Sequence, residues 1–361
     1  MNQLRHSIDC PLVTANLPGT GGRLRTVPSD FQVEEVPAYA PCGEGEHLFL
    51  WVEKCGVSGE QLLDHVAGRL EVPQRDIGCA GLKDRHAVTR QYLSVPRTCE
   101  PRVSSLDGNG VRLLSASAHA NKLRTGHLRG NSFRITLRDV VPDALERAAR
   151  ISESIRAQGL PNFFGEQRFG RDGDTGQIGL ELLRGAIRRV PGPRRRERFL
   201  RKLYLSAAQA ALFNAYLARR MADGLLARVL EGDVMQKTSG GLFYVTDVEV
   251  EQARFNNRET VHAGPIFGKK TFAARGAALE RELAVLDDFG VAPERFGAFG
   301  PLLQGTRRAN LVYLDDLSVE ASADGMELRF SLPAGSYATV LLREVMKSSV
   351  AEDESSRSGY A

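Results

Sequence analysis

FRITLRD, Phe133 to Asp139, carries the decisive pattern. Phe133, Ile135 and Leu137 point to one side while Arg134, Thr136 and Arg138 point to the other, the period of a half-buried strand. Upstream, HLFLWVEK (His47 to Lys54) reads as a compact strand. Downstream, Met326, Leu328, Phe330 and Leu332 alternate with polar residues after Asp324-Gly325, which predicts a hairpin. Ser58 followed by Gln61 has capping-box spacing, and Leu62, Leu63, Val66 and Leu70 then fall on one helical face. These segments predict an α+β fold with a mixed, mainly antiparallel sheet.

A second helix is expected near Pro142 to Gln158, with Gly159 placed to end it. From about Thr175 to Gly290 helical patterns dominate: Leu205, Ala208, Leu212 and Tyr216 share a face, as do Leu279, Leu283 and Leu286. Strands then return, followed by a helix from near Tyr337 with Val340, Leu341 and Val345 facing inward. The economical reading is one sheet domain built from both ends of the chain with a helix-rich α/β domain inserted between them. Two sequential domains satisfy the same pattern. The tail AEDESSRSGYA, within 350–361, has the composition of a disordered segment.

With 361 residues the chain has room for about two domains. Its 42% hydrophobic and 25% charged residues are those of an ordinary globular protein. The net charge is only +4, so any anion-binding surface must concentrate charge locally. Five cysteines (Cys10, Cys42, Cys55, Cys79, Cys99) contain no C-x-x-C pair, which argues against a disulfide framework and a zinc knuckle. No apolar run has signal-peptide or membrane-spanning length, so the expected protein is soluble, reduced and cytoplasmic.

Three segments stand out chemically. GLKDRHAVTRQ (Gly81 to Gln91) joins a short apolar stretch to an alternating one, which makes it a loop between strands. Asp84, flanked by Lys83, Arg85 and His86, is placed there as a nucleophile or base; the same composition also makes a solvated turn. PNFFGEQRFGRDGDTG, from Pro161, combines aromatic rings, glycines and Arg168, suited to stacking and phosphate contact or to a hinge with buried rings. RGAIRRVPGPRRRERFLRK, Arg184 to Lys202, has nine Lys or Arg against one Glu, a net +8 that points to nucleic acid. AGPIFGKKT, Ala263 to Thr271, misses the phosphate-loop signature: three residues, not four, separate Gly264 from Gly268, and no clear strand precedes it.

GLKDRHAVTRQ, RGNSFRITLR, PNFFGEQRFG, FSLPAGSYATVLLRE and the N-terminal RTVPSDFQVEEV together, in that register, resemble the motifs of the TruD family of tRNA pseudouridine synthases, which act on uridine 13. The resemblance implies a pseudouridine synthase fold in 1–158 and 305–361, interrupted by an inserted TRUD domain at 159–304. It implies that Asp84 is the catalytic carboxylate. It also implies that Phe31, Asn131, Phe133 and Phe330 line the target-nucleotide pocket, and that Lys83 and Arg25, the latter where the family often has Lys, are expected to bind substrate. Arg168, Arg194, Arg195 and Arg196 are the expected RNA contacts. The chemistry is an isomerisation that needs neither metal nor cofactor, and the expected partner is tRNA, with no membrane and no obligate protein partner, on a monomer. A non-catalytic RNA-binding or RNA-chaperone protein on the same scaffold is the alternative, and turnover separates the two.

Overall fold

Period-two alternation becomes strand along the first limb of the computed structural model, which describes residues 10–170 and 173–348. This limb holds β1 (Gly21–Arg23), β2 (Phe31–Pro37), β3 (His47–Cys55), α1 (Gly59–Leu70), β4 (Gly78–Cys79), β5 (Val88–Pro96), β6 (Val111–His119), β7 (Leu128–Val140) and α2 (Ala144–Gln158). The capping box forms as expected. The Ser58 hydroxyl accepts from the Gln61 amide at 3.1 Å, and the Gln61 side chain accepts from the Ser58 amide at 2.9 Å. Leu62, Val66 and Leu70 of α1 then pack on Leu48, Leu50 and Val52 of β3. Each such burial stabilises the fold by about 1.5–3 kcal/mol.

Gly159, with φ +82°, ends α2 in the left-handed conformation that glycine adopts without strain. The middle of the chain supplies β8 (Leu160–Pro161), α3 (Asp174–Arg184), α4 (Glu197–Ala222), β9 (Val234–Lys237), β10 (Leu242–Tyr244), α5 (Val248–Asn256), β11 (Thr260–Ile266), α6 (Gly276–Asp288), β12 (Thr306–Ala309) and β13 (Leu311–Val312). The chain closes with β14 (Ser318–Ser322), β15 (Gly325–Pro333) and α7 (Ala338–Met346). Ser322 faces Gly325 across the expected hairpin.

The chain divides into two compact units, one of 16–156 with the segment from Leu314 onward, the other of Ala157–Tyr313 with residues 10–15. In the first, a nine-stranded sheet runs β14-β15-β7-β2-β5-β3-β6, with β1 along β7 and β4 along β5. Its β2/β5 pair is parallel and its other pairs antiparallel, giving a mixed, mainly antiparallel sheet. In the second, Leu205, Ala208, Leu212 and Tyr216 of α4 are buried with Leu180 and Leu183 of α3 and Val285 and Leu286 of α6.

Two sequence expectations need correction in that unit. The stretch read as helical contributes three strands, β9, β10 and β11, to a four-stranded sheet, β10-β9-β11-β12. Its strands are short, from three to seven residues, so no long alternating run announces them. The buried stripe of α6 is Ala278, Glu282, Val285 and Leu286, because Glu282 turns inward to hold buried Arg307 at 2.5 Å; of the expected face Leu286 is buried, while Leu279 and Leu283 lie half-buried beside it. The expected disordered tail at 350–361 lies outside the described residues. Among the described residues no helix is long and apolar enough to cross a membrane.

Candidate active site

Strand register assembles the site. Phe330 on β15 lies opposite Phe133 on β7, Phe133 opposite Val33 on β2, Val33 opposite Thr89 on β5, and Thr89 opposite Lys54 on β3. Directly opposed residues share a sheet face, so one row of side chains crosses five strands. Adjoining rows put Phe31 opposite Ile135, and Asn131 opposite both Glu35 and Leu332. Phe133 stacks on Phe330 at 5.1 Å with planes 17° apart, and Phe31 meets Phe133 edge-on at 6.2 Å. All three rings are nearly buried, forming an apolar wall rather than free stacking surfaces.

Asp84 lies in the loop before β5, its side chain 59% exposed, within reach of a ligand. Arg25 donates from Nη2 to Asp84 Oδ2 at 2.8 Å, and its guanidinium carbon lies 4.2 Å from the Phe31 ring centroid. To place it there Arg25 adopts φ +60°, a left-handed conformation costing about 1–2 kcal/mol in a residue with a Cβ. The ion pair and the ring contact offset that cost, and such local strain concentrates at functional positions.

The loop is held from below by two lysines. Lys54 Nζ donates to the Asp84 carbonyl at 2.5 Å and to the Val57 carbonyl at 2.8 Å. Burial draws its pKa down to about 8 against the opposing pull of the Asp84 carboxylate, and Lys83 adds to the depression. Lys83 Nζ pairs with Glu35 Oε2 at 3.0 Å, with both side chains nearly inaccessible. Lys83 therefore anchors the loop to β2. Asn131 Oδ1 is buried without a hydrogen-bond partner among the described residues, an unmet acceptor whose satisfaction by a donor is worth about 1–3 kcal/mol.

Glu35 lies within RTVPSDFQVEEV and Lys54 ends HLFLWVEK, and neither was assigned to the site, yet strand parity marks both. Glu35 continues the inward series Phe31, Val33, and Lys54 continues Leu48, Leu50, Val52. An ionisable group at an inward strand position is a signal in itself, because burying it requires a partner. The other face of these strands carries a groove lined chiefly by Gln32, Glu34, Arg90, Ser132 and Arg134. Its arginines are already paired, Arg90 with Glu34 and Glu53 and Arg134 with Glu327, leaving it no uncommitted charge for a ligand.

The remaining expected contacts lie in the other unit. Arg168 ends a short 3-10 helix (Glu166–Arg168), its guanidinium 6.0 Å from the Phe164 ring, and its Nε is buried without a partner among the described residues. The rings of Phe163 and Phe169 in the same motif are buried, and Asn214 brackets the Phe164 backbone with two hydrogen bonds. Arg194–Arg196 form a 3-10 turn with all three side chains exposed. In the near-miss phosphate loop, Gly264 lies within strand β11, where sequence alone showed no strand, and no helix follows directly. A Cβ at Gly268 would fall 2.2 Å from the Gly305 amide, so that glycine serves a close backbone crossing.

The family model described as tRNA pseudouridine synthase D (TruD) matches residues 7–190 and 194–345. The chain is 46% identical over 340 residues to a tRNA pseudouridine synthase D of Anaeromyxobacter dehalogenans, spanning 94% of this chain and 97% of that one. It is 44% identical over 339 residues to one from Thermus thermophilus, with 93% and 92% covered. Among solved structures, that of a Methanosarcina mazei chain assigned as a tRNA pseudouridine synthase D superposes with a TM-score of 0.75 at 25% identity, covering 97% of this chain and 99% of that one.

Proposed function

The chain belongs to the tRNA pseudouridine synthase D (TruD) family, isomerases acting on tRNA, and we propose that its target is uridine 13 and that Asp84 is the carboxylate that starts the reaction. The observation carrying the assignment is the exposed Asp84 carboxylate, held by Arg25 beside a wall of Phe31, Phe133 and Phe330. The reaction breaks the bond from ribose C1′ to uracil N1 and joins C1′ to C5. The C5 proton leaves and N1 gains one, so no electrons are exchanged. A positioned carboxylate is sufficient to initiate such a rearrangement.

Reaching that bond requires the uridine to leave its stack, at a cost of a few kcal/mol. Contact with the aromatic wall and a hydrogen bond to Asn131 Oδ1 are of the size to offset it. Arg25 covers the face of Phe31 and neutralises Asp84, so a base approaching either must share or displace it. The proposal extends to organisation: of the expected 1–158 and 305–361, the unit of 16–156 with the segment from Leu314 carries the chemistry, and the unit of 157–313, to which residues 10–15 also belong, is the inserted domain, whose exposed Arg194, Arg195 and Arg196 grip the tRNA backbone.

The test is Asp84→Asn, which keeps the size and removes the charge. Release of tritium from tRNA labelled at uracil C5 is expected to fall by more than about a thousandfold while tRNA binding is kept. Full turnover in that variant would sink the assignment, and binding without turnover by the wild type would leave an RNA-binding protein instead.

A further inference from the structure

An exposed aromatic ring stands among exposed cations at the start of α4. Phe199, in the first turn of α4, is 57% exposed, the same exposure as Leu82 and above that of any other large hydrophobic side chain among the described residues. The Arg196 guanidinium lies 5.3 Å from its ring centroid. On a helix, positions three apart share a face, which sets Lys202 on the same face as the ring. Arg194, Arg195, Arg196, Arg198 and Lys202 are all exposed, and none makes an ion pair among the described residues. Nearby Phe299 shows the contrast: it is covered by Arg201 at 5.4 Å and Arg295 at 6.0 Å, and it is buried. Phe199 has a single cation beside it, Arg196, and stays exposed.

We propose that Phe199 is a stacking shelf for an unpaired base of the tRNA, with the flanking cations holding the phosphates on either side of that base. The inference rests on the reading that tRNA is the partner, and it adds a base contact where composition indicated only phosphate contacts. The chemistry favours nucleic acid as the occupant. A hydrophobic protein surface would have to desolvate five uncompensated cations around one ring, whereas a nucleotide presents a flat π face and an anion at the matching spacing. Stacking is tolerant of base identity, so the shelf contributes affinity and register rather than sequence choice.

Binding of an in vitro transcribed tRNA to full-length protein tests this by fluorescence anisotropy at two salt concentrations. Phe199→Ala is expected to weaken binding about tenfold without changing its salt slope, since a ring and not a charge is removed. Phe199→Leu, apolar but without a π face, should weaken binding as much as Ala. Phe199→Trp should bind as the wild type does, and its indole emission should be quenched by tRNA above the background of Trp51, the single native tryptophan. Wild-type affinity in Phe199→Ala or in Phe199→Leu overturns the shelf. Turnover measured on the same preparations separates that result from failure of the enzymatic reading, because a protein that isomerises uridine without using Phe199 keeps its function and lacks only this shelf.

Discussion

Lys54 shows how one side chain couples the sheet to the Asp84 loop. It occupies an inward strand position that leucine or valine fills two and four residues earlier, and it is fully buried. Its ammonium is spent on two backbone carbonyls, one of them that of Asp84. Burial lowers its pKa from 10.5 to about 8 in the folded protein. Between those pH values the unfolded chain binds more protons at this site than the folded one, so the site makes stability rise with pH across that window. Urea midpoints at about pH 7.5 and about pH 9.5 should therefore differ less in Lys54→Met than in the wild type, by at most about 1.4 kcal/mol per pH unit. An identical pH response in the two proteins would show that the buried amine is not the source.

At the scale of elements, β7, β15 and β2 align the aromatic wall, and the Arg194–Arg196 turn leads into α4 to present charge. Replacing Arg194, Arg195 and Arg196 with Ala should weaken tRNA binding and reduce the slope of log affinity against log salt by up to about 3, roughly one for each phosphate no longer neutralised. An unchanged slope would return that turn to the role of a solvated surface. Part of the basic stretch is structural from the outset: Arg184 donates from Nε to the Phe289 carbonyl at 2.6 Å. Composition reveals where charge accumulates, but only packing distinguishes a cation that braces a loop from one left for a ligand.

At the scale of the whole molecule, the unit of 157–313 is locked by buried polar groups. Arg220 pairs with Asp233 at 2.7 Å and Arg307 with Glu282 at 2.5 Å. His262 donates from Nε2 to the Leu226 carbonyl and accepts at Nδ1 from the Asn310 amide, both at 2.8 Å, which requires the neutral ring. Burial, with neighbouring Arg220, holds its pKa down at about 3 against the ordinary 6.5. Between these values the unfolded chain binds the extra proton, so the stabilisation is complete above 6.5 and is lost progressively as pH falls towards 3. Unfolding at about pH 7 and about pH 5 should show a loss of up to about 1.4 kcal/mol per pH unit in the wild type and a smaller one in His262→Gln. Equal losses in both would assign the acid sensitivity elsewhere.

The α1 capping box, the alternation of β7 and β15, and the glycine that ends α2 were all legible in the sequence, because caps and side-chain periods arise from sterics within a few residues. Motif resemblance pointed to Asp84 and to the residues proposed for the pocket. Tertiary structure alone decided that Arg25, held in a left-handed conformation, reaches Asp84 fifty-nine residues away, that Lys54 sits beneath the same loop, and that the short strands β9 to β12 form a sheet. Each of these depends on register between segments far apart in the chain. A local period sets which face a side chain takes, while the partner waiting on that face is set by the closure of loops that no local pattern records.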